Sequence, residues 1–126
     1  MMITTAFYTA LLSLLYLALS INVSRLRIKH RVSLGAGEVT KLDRAMRAHG
    51  NFIEYVPLIL ILMWFLELLG ISTTVLHLMG GSLFFARLSH ASCLCIKYIP
   101  IMRQLGALVT YILLFLSAIM TLFILF

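Results

Sequence analysis

The chain has 126 residues, 63% of them hydrophobic and only 11% charged, with a mean hydropathy of +1.10. A soluble domain carries about 25% charged residues because its surface faces water, so this composition excludes an ordinary soluble protein. Ten Lys and Arg against four Asp and Glu leave a formal charge of +6; in a membrane chain such a surplus reports sidedness rather than nucleic-acid binding.

One helical crossing takes about 20 apolar residues. Four apolar stretches therefore predict helices over about 4–24, 48–68, 72–96 and 105–126, in a single unit covering 1–126 with no room for a second domain. The first stretch, TTAFYTALLSLLYLALSINVS, carries no charge, and the residues before it lack the basic segment of a secretory signal. It is expected to stay as a membrane helix. The segment 25–47 follows as a loop holding seven of the ten basic residues, with Gly35 and Gly37 as breakers.

The second helix contains Glu54, Glu67 and an internal Pro57, and the turn after it, around Gly70, has no basic residue. In the third helix, Gly80 and Gly81 would let another helix approach closely. Cys93 and Cys95 point to different sides of that helix and read as buried apolar filler. Lys97, Pro100 and Arg103 connect it to the fourth helix. The positive-inside rule then places both basic connections in the cytoplasm and both termini outside. His30 and His49 read as loop or interfacial residues, His77 lies toward the outer end, and no histidine or cysteine spacing suggests a metal.

Two polar clusters stand out, because an ionisable group inside a membrane helix costs several kcal/mol unless it is paired or hydrated, roughly +2.5 to +3.5 on insertion scales. Arg47, Asn51 and Glu54 follow i, i+4, i+7 spacing and form one line along a helix face, reaching about 10 Å into the bilayer. Arg87 and His90 share a face of the third helix, with Arg87 too deep to snorkel. Glu54 is the acid at matching depth, so an Arg87–Glu54 ion pair between helices is expected. Cations remain beyond that pairing: Arg47, Arg103 and Arg25 or Arg27 would gather at the inner edge as a site for a small ligand with several negative charges.

The stretches RLRIKHRVSLGAGE (25–38), RAMRAHGNFIEYVP (44–57), ARLSHASC (86–93) and MRQLGALVTY (102–111) resemble the MAPEG family, membrane-associated proteins in eicosanoid and glutathione metabolism, and most of all its short bacterial members. The resemblance implies an all-α membrane protein, a four-transmembrane-helix bundle assembled as a homotrimer in the bacterial inner membrane. Glutathione would bind between neighbouring subunits, at a site facing the cytoplasm. By position, Arg25, Arg27, Arg47, Asn51, Glu54, Tyr55 and His90 would contact glutathione, Arg103 would activate its thiol, and Arg87 would pair with Glu54. Two positions depart from the pattern. Leu94 stands where several members have a tyrosine that holds glutathione, and Gly50 where some carry another arginine.

The implied function is a glutathione-dependent transferase or peroxidase acting on a lipophilic second substrate that arrives through the bilayer. The alternative is a non-enzymatic lipid-binding or scaffold protein, since the family includes one and a fold does not secure catalysis. A small proton-coupled exporter of similar length would need an acid in its first helix, and residues 4–24 have none.

Overall fold

The computed structural model describes residues 3–126, so the first two residues of the expected unit 1–126 lie outside the described residues. The described chain forms four helices: α1 (Thr4–His30), α2 (Thr40–Leu68), α3 (Thr73–Cys95) and α4 (Pro100–Leu125). Three of them, α1, α2 and α4, are long and apolar enough to cross a membrane. The third, α3, has 23 residues and is interrupted by Arg87, His77 and His90; at about 1.5 Å per residue it still matches a hydrocarbon core of about 30 Å.

The helices outrun their apolar stretches at the basic end. Instead of a loop from 25 to 47, α1 continues through Arg25, Arg27 and Lys29, and α2 already begins at Thr40. Charge ends a membrane-spanning stretch but not a helix: Arg and Lys are good helix formers, and basic residues in the last turn of α1 and Asp43 in the first turn of α2 complement the helix dipoles. The chain reverses only between these helices, where Arg31 is left-handed at φ 55° and its N–H closes the end of α1 on the Arg27 and Ile28 carbonyls. Similarly, α4 starts at Pro100, whose fixed φ suits the first helical turn, so Arg103 lies on the helix rather than ahead of it.

In the packing, α2 and α3 are central; α1 lies against both on one side, α4 lies against both on the other, and α1 and α4 do not meet among the described residues. On α2 the buried residues Ala48, Phe52, Val56, Ile59, Met63 and Leu66 recur at helical spacing. They meet Leu12 and Leu19 of α1, Leu76 and Leu83 of α3, and Leu113 of α4. The outward residues, among them Ile53, Trp64, Phe85, Phe115 and Phe123, are exposed and apolar, as a lipid-facing surface requires.

Because lipid is as apolar as leucine, close backbone approach matters more than area in holding such helices together. Gly106 allows it: a Cβ there would stand 2.7 Å from the Ala86 carbonyl oxygen of α3. Gly80 instead makes room for a side chain, since a Cβ on it would run into the Tyr8 ring of α1. His49 is not a loop residue: it lies on α2, stacked 4.8 Å from Tyr16 and 3.1 Å from the Ser20 hydroxyl of α1. Cys93 is buried, and its thiol donates to the Ile99 carbonyl at 2.9 Å.

Candidate functional site

At the basic end, α2, α3 and α4 border an open hollow of about 430 Å³. Asp43, Met46, Arg47, Gly50, Asn51 and Glu54 line it from α2, His90 and Leu94 from α3, and Arg103 from α4. Its volume lies within the roughly 300–1,000 Å³ of small-molecule sites. The i, i+4, i+7 spacing on α2 lines up three polar groups along one wall, and the Gly106 contact brings α4 close enough for Arg103 to supply the opposite one.

These side chains are engaged to different degrees. The Arg47 Nε donates to Asp43 Oδ2 at 3.0 Å, an exposed pair one turn apart on α2 and the one salt bridge among the described residues. Such exposed i, i+4 pairs contribute only about 0.3–0.5 kcal/mol, so Arg47 is easily turned toward a ligand. Asn51 Oδ1 is buried without a hydrogen-bond partner. Neither Glu54 nor Arg103 forms a side-chain hydrogen bond or ion pair among the described residues. Buried polar atoms are normally satisfied, so an orphaned amide oxygen beside uncommitted charges of both signs makes this hollow the candidate site.

The expected Arg87–Glu54 ion pair is absent among the described residues. Arg87 is 1% exposed, but its guanidinium lies over the Phe52 ring, 5.7 Å from the centroid, and reaches Thr110 of α4 and His90 of its own helix. Depth along the helix was the wrong criterion. Residues 52 and 54 point to different sides of α2, and it is Phe52, not Glu54, that faces α3. Glu54 is therefore left exposed on the flank of α2 toward the hollow.

Three further candidates lie outside the hollow within one chain. Arg27 is taken up by its own loop, donating to the Gly35 carbonyl at 2.8 Å and reaching the Met46 sulfur. Arg25 donates to Asn22 Oδ1 at 3.0 Å along α1. Tyr55 meets Tyr111 of α4 edge-on, with ring centroids 5.2 Å apart. Sequence reasoning missed Asp43 and Thr110. The Asp43–Arg47 spacing is a readable i, i+4 signal, whereas nothing local to Thr110 indicates that it faces Arg87.

A second, larger recess lies between α1 and α2. It has about 780 Å³, holds no charged residue, and is walled by Leu12, Phe52, Val56, Pro57, Leu60 and Trp64. The Thr9 and Ser13 hydroxyls on its edge donate to carbonyls one turn back on α1, which leaves the recess effectively apolar. It opens on a different flank of α2 from the charged hollow.

The chain matches the sequence profile of the MAPEG family over residues 5–123. It is also 41% identical over 86 residues to proteins named "Inner membrane protein YecN" in Escherichia coli K12 and in Escherichia coli O6:H1. That alignment takes in 68% of this chain and 66% of those relatives, slightly under two thirds of their length. Four packed helices with a polar hollow at one end and a family match over nearly every residue lead to one conclusion: this chain belongs to the MAPEG family.

Proposed function

We propose that this protein is a membrane-bound glutathione-dependent transferase or peroxidase, acting on lipophilic electrophiles or lipid hydroperoxides. The observation that carries the reading is the hollow itself: Arg47, Arg103, Glu54 and Asn51 line it, and the buried Asn51 Oδ1 has no hydrogen-bond partner. Glutathione has two carboxylates, one ammonium group and two amide N–H groups. The arginines match the carboxylates and Glu54 the ammonium, by bonds that strengthen with charge, and Asn51 Oδ1 matches an N–H donor. Arg25 lies outside the hollow of its own chain. In a homotrimer a neighbouring copy would supply that position and cover the exposed Glu54 flank.

A thiol with a pKa near 8.5 is only about 3% ionised at pH 7. Lowering that pKa by about two units takes about 2.7 kcal/mol of preference for the anion, a modest demand on one partly buried guanidinium. Arg103 is the group that would supply it, since it stands at the start of α4 with no competing partner among the described residues. Arg47 and Glu54 hold the rest of the tripeptide, and the thiolate attacks a substrate that enters from the lipid. The protein would lie in the inner membrane with the hollow toward the cytoplasm and both termini outside, the orientation that the charge at the connections favours.

The apolar recess between α1 and α2 favours a second reading, in which the protein binds or presents a lipid without chemistry. Ultraviolet difference spectra separate the two. Glutathione added to the purified protein in detergent should produce thiolate absorbance, with Arg103→Ala losing that signal and at least about 100-fold in conjugation rate, while the oligomer stays intact. Binding without thiolate in the unmodified protein would establish the scaffold reading instead.

A further inference from the structure

Arg87 is an almost wholly buried cation without a carboxylate partner among the described residues, and its hydrogen bonds form a directed chain. The Thr110 hydroxyl donates to the Gly106 carbonyl at 2.8 Å, so its oxygen is left to accept from Arg87 Nη1 at 3.5 Å. Arg87 Nη2 lies 3.5 Å from His90 Nδ1. A guanidinium has only N–H donors and no acceptor, so in this contact Nδ1 must be the acceptor. An imidazolium, or the tautomer with its proton on Nδ1, would set two N–H groups against each other. An imidazole with a bare Nδ1 carries its hydrogen on Nε2. That nitrogen has no partner among the described residues, and His90 lines the charged hollow.

We infer that Arg87 is a positioning residue that locks His90 in the Nε2–H tautomer, so that the wall of the hollow presents a hydrogen-bond donor to an anionic oxygen of the ligand. His90 is thereby excluded as a base for the thiol, and an acceptor oxygen is what it recognises. The tautomer follows from contacts within the chain. That this oxygen belongs to a carboxylate rests on the glutathione reading.

The test is ring nitrogen NMR on the full-length protein in micelles, labelled with ¹⁵N-histidine, with the His90 signals assigned by their loss in His90→Gln. The unmodified protein should show one tautomer, with Nδ1 unprotonated and Nε2 protonated. Arg87→Met, similar in length but unable to donate, should release the lock and give mixed or averaged ring signals, and Arg87→Lys, which restores a donor, should return the Nε2–H pattern. A protonated Nδ1 in the unmodified protein overturns the inference, and so does an unchanged pattern in Arg87→Met; if that variant does not fold, the unmodified protein and Arg87→Lys decide it. Added glutathione should shift the Nε2–H signal. A locked tautomer that glutathione leaves unmoved would retain the positioning role and remove the glutathione assignment.

Discussion

Two carboxylates on α2 meet opposite circumstances. Glu67, at the end of the helix away from the basic connections, accepts from the backbone N–H groups of Thr4 and Thr5 at 3.0 and 2.9 Å. It closes the start of α1, where the first four N–H groups have no partner within the helix. Beside it, the Tyr8 hydroxyl meets Nδ1 and the carbonyl of His77, 3.1 and 3.2 Å away, so α1, α2 and α3 are joined there by polar contacts. Glu54, nearer the basic end, lines a hollow and forms no hydrogen bond or ion pair among the described residues. Both are acids in an apolar helix, and by position alone both would count as functional. The difference lies in what each touches: a carboxylate that satisfies backbone donors holds the fold together, and one left with free lone pairs is available to a ligand.

Neutral replacement of the free acid should have the largest effect. Glu54→Gln is expected to weaken glutathione binding by about 10- to 100-fold, the loss of a charge-assisted hydrogen bond of about 1.5–3 kcal/mol, with thermal unfolding unchanged. Calorimetric titration checks it, and equal affinity in the variant would remove Glu54 from the site. Next comes deformation of the hollow without touching its polar groups. In Gly106→Ala the new Cβ would press on the Ala86 carbonyl oxygen and on the His90 Cβ, 3.0 Å away. Backbone cannot yield, so α4 must move off α3 at a cost of about 1–3 kcal/mol; both the unfolding midpoint and glutathione affinity should fall. Full affinity in a destabilised Gly106→Ala would show that the spacing of α3 and α4 does not set the site.

Glu67→Gln is the counterpart to Glu54→Gln. It should lower stability by about 0.5–2 kcal/mol, the range for a lost N-terminal cap, and leave glutathione affinity alone. If binding weakened as much as in Glu54→Gln, the division between the two ends would be lost. The smallest effect is expected from a gain. Leu94 is buried and lines the hollow, so Leu94→Tyr brings a phenol to its wall and should tighten glutathione binding by several-fold, as one neutral hydrogen bond of about 0.5–1.5 kcal/mol allows. Weaker binding would mean that the ring blocks the hollow instead of lining a ligand.

How much of this could be read beforehand depended on the kind of signal. The alignment of Arg47, Asn51 and Glu54 follows from the period of a single helix, and the structure keeps it. Helix ends were less readable, because hydropathy marks where lipid contact stops rather than where hydrogen bonding stops; hence α1 runs to His30 and α2 starts at Thr40. The partner of Arg87 was unreadable. Depth can be counted along a helix, but which face of α2 turns toward α3 depends on how the whole bundle packs, and that placed Phe52 there. Arg25 and Arg27 end in contacts with their own helix and the loop after it, and neither lines the hollow of its own chain.

The order of the amino acids was enough to establish the solvent, the number of helices, the end at which the basic charge collects, and the family. These follow from composition, from apolar runs of bilayer length and from local motifs, none of which needs one helix to know where another lies. Packing in three dimensions was needed to make Glu67 cap α1, to turn Arg87 toward Thr110 and His90 rather than Glu54, and to bring Arg103 to the polar wall of α2 around one hollow. Each of these depends on the rotation and closeness of packed helices, to which Gly80 contributes by seating the Tyr8 ring and Gly106 by admitting the α3 backbone, contacts made through space and not through sequence neighbourhood.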